Sequence, residues 1–224
     1  MATKLSYNIP NGSTLQIAQT MGARSIRVTG ISNAKEAVAT LSAADSSIAA
    51  GDYVQLFTSW VNMNGLVCRV KSVTTDKVTL EKVDTSDTDI YPKGGGAGTL
   101  VKIQEWIDLP LTPTISNSGN EQQTTTFQAI QHERAVNINT YKSAATQTFT
   151  MAHDASAPVR EVLKQLDRSQ DVTAFKFYNK RAKETRVYGC QVSFNEIPAS
   201  EVNNVETNSL VLSLVSEMVI YPAA

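Results

Sequence analysis

Apolar and polar residues alternate with a period of two through most of this chain, in short runs punctuated by turn residues. Successive side chains of a strand point to opposite faces, so this pattern demands half-buried β-strands and leaves little room for helix. Tyr53–Phe57, Leu66–Val73 and Val78–Val83 are such runs, separated by Asn64-Gly65 and Thr75-Asp76-Lys77, with Gly51-Asp52 before them. Ile26-Arg27-Val28 opens another strand, which breaks at Gly30. Residues 33–48 are rich in Ala and Ser and fit strand, turn or short helix equally. Short β-branched runs at this spacing predict a small antiparallel β unit. The glycine run Lys93–Gly98 reads as a flexible hairpin tip closing it, and a strand from Thr99 to Ile103 continues towards Trp106.

Pro110 and Pro113 interrupt the alternation. The polar stretch Thr114–Gln123 that follows predicts a long exposed loop, a reaching arm rather than a domain linker. Thr124–Gln131 and Ala135–Tyr141 alternate again, with Thr, Gln and Asn on the polar phase and few charges. Thr146–Met151 is a further strand, ending at His153-Asp154. One helix is clear. Val159, Val162, Leu163 and Leu166 fall at i, i+3, i+4 and i+7, Pro158 suits the first turn, and Asp154 or Ser156 can cap it. Asp171 ends the helix, and strands Val172–Asn179 and Glu184–Phe194 follow, joined by Lys180-Arg181-Ala182-Lys183. The last strand, residues 206–221, is apolar on both phases from Leu210, which predicts cover on both faces by the helix and by another sheet or subunit.

The expected fold is mainly β. Residues 1–27 and 104–224 form a β-sandwich with one flanking helix at about 157–168, and residues 28–103 form an inserted small antiparallel β module.

Charge narrows the function. Twenty Lys and Arg stand against 21 Asp and Glu, so bulk attraction for nucleic acid or an anionic bilayer is absent. Charged residues make up 18%, below the roughly 25% of an ordinary soluble domain. A polar, weakly charged surface suits stacking against copies of itself. No apolar run reaches the roughly 18 residues of a membrane span, and Met1–Thr20 does not read as a signal peptide; a cytoplasmic start is expected. Cys68 and Cys190 lie on apolar phases without metal-ligand spacing and read as small buried hydrophobes.

Catalytic patterns are missing. His132 and His153 each precede an acid, but adjacent strand residues face opposite ways and cannot pair. No G-x-S-x-G, HExxH or C-x2-C string occurs. The Gly94–Gly98 run follows its lysine and lacks the G-K-[ST] of a phosphate loop. Asp84, Asp87 and Asp89 lack the calcium-loop pattern, and Lys180, Arg181 and Lys183 read as a solvated turn. Asn11-Gly12-Ser13 matches a glycosylation sequon that a cytoplasmic chain leaves unused. No catalytic, cofactor-binding or metal-binding residue is expected, and the chain does not read as an enzyme.

The order of elements in the second half resembles the major tail tube protein of long, non-contractile-tailed bacteriophages of the lambda type. The resemblance rests on Gln147–Met151, the helix start Ala157–Leu163, Ala174–Tyr178, Val187–Phe194 with its Tyr188-Gly189 pair, and Ser209–Leu214. Residues Gly30–Ala34, Gly51–Val54, Met63–Gly65, Val70–Val73, Leu80–Thr85 and Tyr91–Gly95 are similar to a small β module that recurs in phage tail proteins. In the family that this resembles, subunits form hexameric rings that stack into a hollow tube, sheets of neighbours join into one inner barrel, and DNA passes through. The resemblance implies self-association, with tape measure, tail tip and terminator proteins as partners, DNA only transiently in the lumen, and no membrane binding. The neutral phase Thr124, Thr126, Gln128, Asn137 and Asn139 is the expected channel lining, since Lys and Arg there would brake DNA by counterion exchange. Ser116, Asn117, Asn120 and Gln122 belong to the expected inter-ring loop. The rival readings are a carbohydrate- or receptor-binding β-sandwich of a tail tip, a tail terminator or connector, and a related secretion tube. Aromatics at 7%, with only Trp60 and Trp106 as tryptophans, count against a sugar platform.

Overall fold

A computed structural model describes residues 9–22 and 25–222. The front of the chain holds β1 (Thr14–Met21), β2 (Ile26–Ile31), β3 (Val38–Leu41), β4 (Tyr53–Thr58), β5 (Leu66–Thr74), β6 (Lys77–Leu80) and the long β7 (Gly98–Asp108). Then come β8 (Thr114–Ser118), β9 (Gln122–Phe127), β10 (Val136–Lys142), β11 (Thr146–Ala152), α1 (Val159–Ser169), β12 (Thr173–Asn179), β13 (Glu184–Phe194), β14 (Thr207–Leu214) and β15 (Val219–Pro222).

The short alternating runs pair in the order β2-β3-β6-β5-β4-β7, and β7 pairs β2 as well, so they close on themselves as a barrel. Closure removes the edges that short strands would otherwise expose. Val54, Leu56, Cys68, Val70, Val78, Leu80 and Leu100 fill the interior. The Ala- and Ser-rich stretch resolves as β3, whose Ala39 is fully buried; small side chains fit a narrow barrel wall.

The glycine run is not a flexible tip. It lies over the buried Trp60, whose indole N–H donates to the Pro92 carbonyl at 3.2 Å and whose ring meets Tyr91 edge-on at 5.2 Å. A Cβ on Gly95 or Gly96 would intrude on that indole, and Gly96 has φ +79°, so glycine is what lets the chain pass here.

β7 leaves the barrel and continues the sheet through β1, β12, β13, β14, β11 and β8. Among the described residues the protein is mainly β with one α-helix, and its layers come from a single 13-stranded sheet that includes the barrel. Ile17, Phe149, Phe175, Tyr188, Val192, Leu210 and Leu212 gather in one core with Val159 and Leu163 of α1. The helix stripe therefore buries as its 3.6 period requires. Its N-cap is Pro158, with no side-chain cap bond, while Asp154 accepts the Ser156 N–H and hydroxyl at 2.8 and 2.7 Å just upstream. Gln170, at φ 56°, ends it.

The expected last strand divides in two. Between β14 and β15 the chain bends, with Val215 N–H donating to the Gly189 carbonyl at 2.9 Å and Gly189 N–H to Ser216 Oγ at 2.8 Å. The barrel meets the second half here: Ala18, Val67, Ile103, Ala174, Val187 and Tyr221 form a shared core. A Cβ on Gly189 would collide with the Gly65 carbonyl, so the close approach of barrel and sheet needs a glycine. Val219 is thus covered from within the chain, packed against the barrel core and the shared core, whereas Val215 is exposed and Val211 half-exposed.

Candidate functional site

Thr114–Ser118 is a strand, not a loop. Ser116 stands opposite Thr148 and Asn117 opposite Gln147. Polar side chains do not prevent a strand, because the ladder is made by backbone groups. The chain then bends at Gly119 (φ 81°) and Asn120 (φ 63°). Asn120 N–H donates to the Ser143 carbonyl at 3.1 Å, and Ser143 N–H to the Glu121 carbonyl at 3.0 Å. Gln122 begins β9, opposite Lys142. Strands β8 and β9 with β10 and β11 are therefore one long hairpin, hinged at this bend. Its outer half, β9 and β10, pairs only with itself among the described residues.

Every residue of β10 is exposed, as is β9 apart from Gln123. An isolated two-stranded hairpin is marginal in water. The register gives its faces opposite character. Val136 stands opposite Phe127 and Ile138 opposite Thr125, which makes one face apolar. Asn137 stands opposite Thr126, bonded at 2.9 Å, and Asn139 opposite Thr124, which makes the other face polar and uncharged. Gln128 lies one residue beyond β9, where its amide donates to the His132 carbonyl at 3.4 Å in the tip. Ile130 at the tip is fully exposed. The apolar face was written in the alternation of Phe127, Val136 and Ile138 but is absent from a reading that follows only the polar phase.

A second uncharged face lies where the hairpin joins the sheet. Rows of directly opposed residues run Ser118, Thr146, Ser213, Gln191, then Ser116, Thr148, Val211, Ser193, then Thr114, Thr150, Ser209. Hydroxyls dominate and no ionisable group interrupts. Their sequence signal was present in the second phase of each strand.

Most of the remaining singled-out residues have structural partners. His153 Nδ1 lies 2.6 Å from Asn208 Oδ1, while His132 is in the exposed hairpin tip. Asp84 accepts the Ser86 N–H and hydroxyl at 2.9 and 2.6 Å, which holds its carboxyl below the usual range, and Asp87 accepts Asp89 N–H at 3.0 Å. Lys180, Arg181 and Lys183 form the β12–β13 turn, closed by Asn179 Oδ1 accepting two backbone N–H groups at 3.0 Å. Both cysteines are free and fully buried in separate cores; burial pushes the Cys68 thiol up to about 12 and Cys190 higher still. Lys176 is pulled below the usual lysine range by burial and lies over the Trp106 ring at 4.3 Å. Among the described residues no cluster of His, Cys, Asp and Glu suits a metal ion, and no helix is long and apolar enough to cross a membrane.

Residues 58–223 match the family described as phage tail tube protein. The chain belongs to the phage tail tube protein family. The match runs from the end of β4 through β15, so it takes in the long hairpin, the uncharged face and part of the barrel. This tail tube protein is a structural component of the virion tail, and the family is not enzymatic. No curated protein matches the chain. Among solved structures, the cryo-EM structure of the anti-feeding prophage baseplate, 6-fold symmetrised, contains a similar chain. The two are 11% identical with a TM-score of 0.37, over 53% of this chain and 85% of that one.

Proposed function

We propose that this tail tube protein assembles as stacked hexameric rings into the hollow tube of a long, non-contractile, lambda-type tail, through which DNA passes into the host. The observation that carries the reading is the charge-free polar surface of the hairpin and of β8, β11, β14 and β13 beside it. A duct for DNA needs a wall that neither grips phosphate nor exposes apolar groups to water. Thr124, Thr126, Gln128, Asn137 and Asn139 contribute to that lining, and the Ser/Thr rows of the sheet extend it. Residues 1–27 and 104–224 act as the tube-forming unit. Residues 28–103 act as an inserted module with its own core. The projecting hairpin, with Ser116, Asn117, Asn120 and Gln122 at its base, contacts the adjacent ring or subunit. Tape measure protein within the lumen, and tail tip and terminator proteins at the ends, complete the partners; DNA is a transient occupant.

Electron microscopy of the concentrated protein, beside its mass by light scattering, tests this. Hollow rings or tubes of uniform diameter are expected, with six-fold averages. A strict monomer, even when seeded with phage tails, overturns it, and density placing the hairpin's polar face on the tube exterior overturns the lining assignment.

A further inference from the structure

Two Asn-Gly pairs occur in the chain, Asn11-Gly12 and Asn64-Gly65. An asparagine followed by glycine is prone to lose its side-chain amide, because glycine has no Cβ to shield its backbone nitrogen or restrict its turning. Attack by that nitrogen on the asparagine Cγ needs an exposed pair, a free N–H and a backbone able to turn. The fold grants these to one pair and withholds them from the other.

Asn11 and Gly12 are both exposed. Gly12 has φ 79°, and its N–H enters no hydrogen bond among the described residues. Ser13 closes the turn, its N–H and hydroxyl donating to the Pro10 carbonyl at 3.1 and 2.5 Å. Open space surrounds Gly12, where an added Cβ would meet nothing within 4 Å. Asn64 is exposed too, but Gly65 is buried and its N–H donates to the Leu56 carbonyl at 2.7 Å. The Gly65 carbonyl accepts the Gln55 amide at 3.3 Å and would stand 2.1 Å from a Cβ on Gly189. Turning the Asn64-Gly65 peptide therefore means parting the barrel from the sheet.

We propose that Asn11 is a site of spontaneous deamidation and that the joint between barrel and sheet protects Asn64 from the same reaction. The Gly12 nitrogen gives up its proton and bonds to Asn11 Cγ. The Cγ–Nδ2 bond breaks, ammonia leaves with the proton, and a five-membered succinimide remains. Water then opens that ring at either carbonyl, yielding aspartate or isoaspartate, so the balance is one water consumed and one ammonia released. The new carboxylate shares with Asp108 a groove of about 610 Å³ that reaches Phe177. It adds a negative charge to a chain of formal net charge -1. The isoaspartyl product also places an extra main-chain carbon in the turn that leads into β1. The chemistry needs no second copy, so it proceeds whether or not tubes form.

The test incubates the full-length, unassembled protein in mildly alkaline buffer and follows both asparagines by peptide mapping and mass spectrometry, with isoaspartate detected by enzymatic methylation. Asn11 is expected to convert at least about tenfold faster than Asn64, since a terminal turn opens at almost no cost and a packed joint opens only near the global free energy. In denaturant both sites should convert. Gly12→Ala, which meets no atom in the fold, should suppress conversion at Asn11, because the methyl hinders the attacking nitrogen. Equal rates at the two sites in the native protein overturn the protection of Asn64. An unmodified Asn11 in native protein whose denatured control converts overturns the site itself. Conversion undiminished in Gly12→Ala overturns the route through the Gly12 nitrogen.

Discussion

Tyr221 is the residue through which the end of the chain holds the barrel, and removing its hydroxyl measures that hold. The side chain is fully buried. Its hydroxyl accepts the Arg69 N–H at 2.9 Å and donates to the Glu81 carbonyl at 3.1 Å, while the Arg69 guanidinium lies over the ring at 4.7 Å. Tyr221→Phe keeps the ring and its packing but strands one donor and one acceptor of the backbone. Each unsatisfied buried group costs about 1–3 kcal/mol. Both groups are only partly buried, so the low end of the range applies, a loss of about 2–3 kcal/mol in all. For a chain of this size each kcal/mol moves Tm by about 2–4 °C. Thermal unfolding of the unassembled protein, followed by circular dichroism, should show a midpoint lower by about 4–12 °C. A midpoint unchanged within error would refute the claim that these two bonds tie β15 to β5 and β6.

Other changes probe other parts. Gly95→Ala drives a methyl into the Trp60 indole and also places it 3.1 Å from the Pro92 carbonyl; overpacking of this kind costs about 1–3 kcal/mol. Tryptophan fluorescence should shift to the red with a lowered Tm, and an unshifted spectrum would count against a packed glycine run. Arg69 bonds Glu81 at 2.6 and 2.7 Å and holds its carboxyl below the usual range. A depressed carboxylate stabilises above its unfolded pKa, and that stability is lost as pH falls through the lower folded value. Between neutral pH and about pH 3, Glu81→Gln should therefore lose less Tm than the parent protein; equal losses would show the pair to be silent. The buried Cys68 and Cys190 thiols should resist alkylation at about pH 8 until the protein unfolds. Stoichiometric labelling of the native protein would contradict their burial.

Much of this was legible in the residues. The period-two runs foretold strands, and Val159, Val162, Leu163 and Leu166 placed the helix within a residue or two of α1. Cys68 and Cys190 are buried, as their apolar phases implied, and Thr124, Thr126, Asn137 and Asn139 lie on one face of the hairpin. Side-chain direction along one element depends on its own backbone, so neighbours in sequence carry that information.

Pairing was another matter. β1, the strand between barrel and second half, went unread although Leu15 and Ile17 alternate there, because two apolar residues do not reveal the partners β7 and β12. Thr114–Ser118 looked like a loop because its side chains are polar, yet β11 gave its backbone a ladder. The glycines after Lys93 looked free because Trp60, the residue they cover, lies over thirty positions away in the chain. Local alternation is encoded residue by residue; closure, register and close approach depend on backbone groups that every non-proline residue carries alike, so only the folded chain decides between their partners.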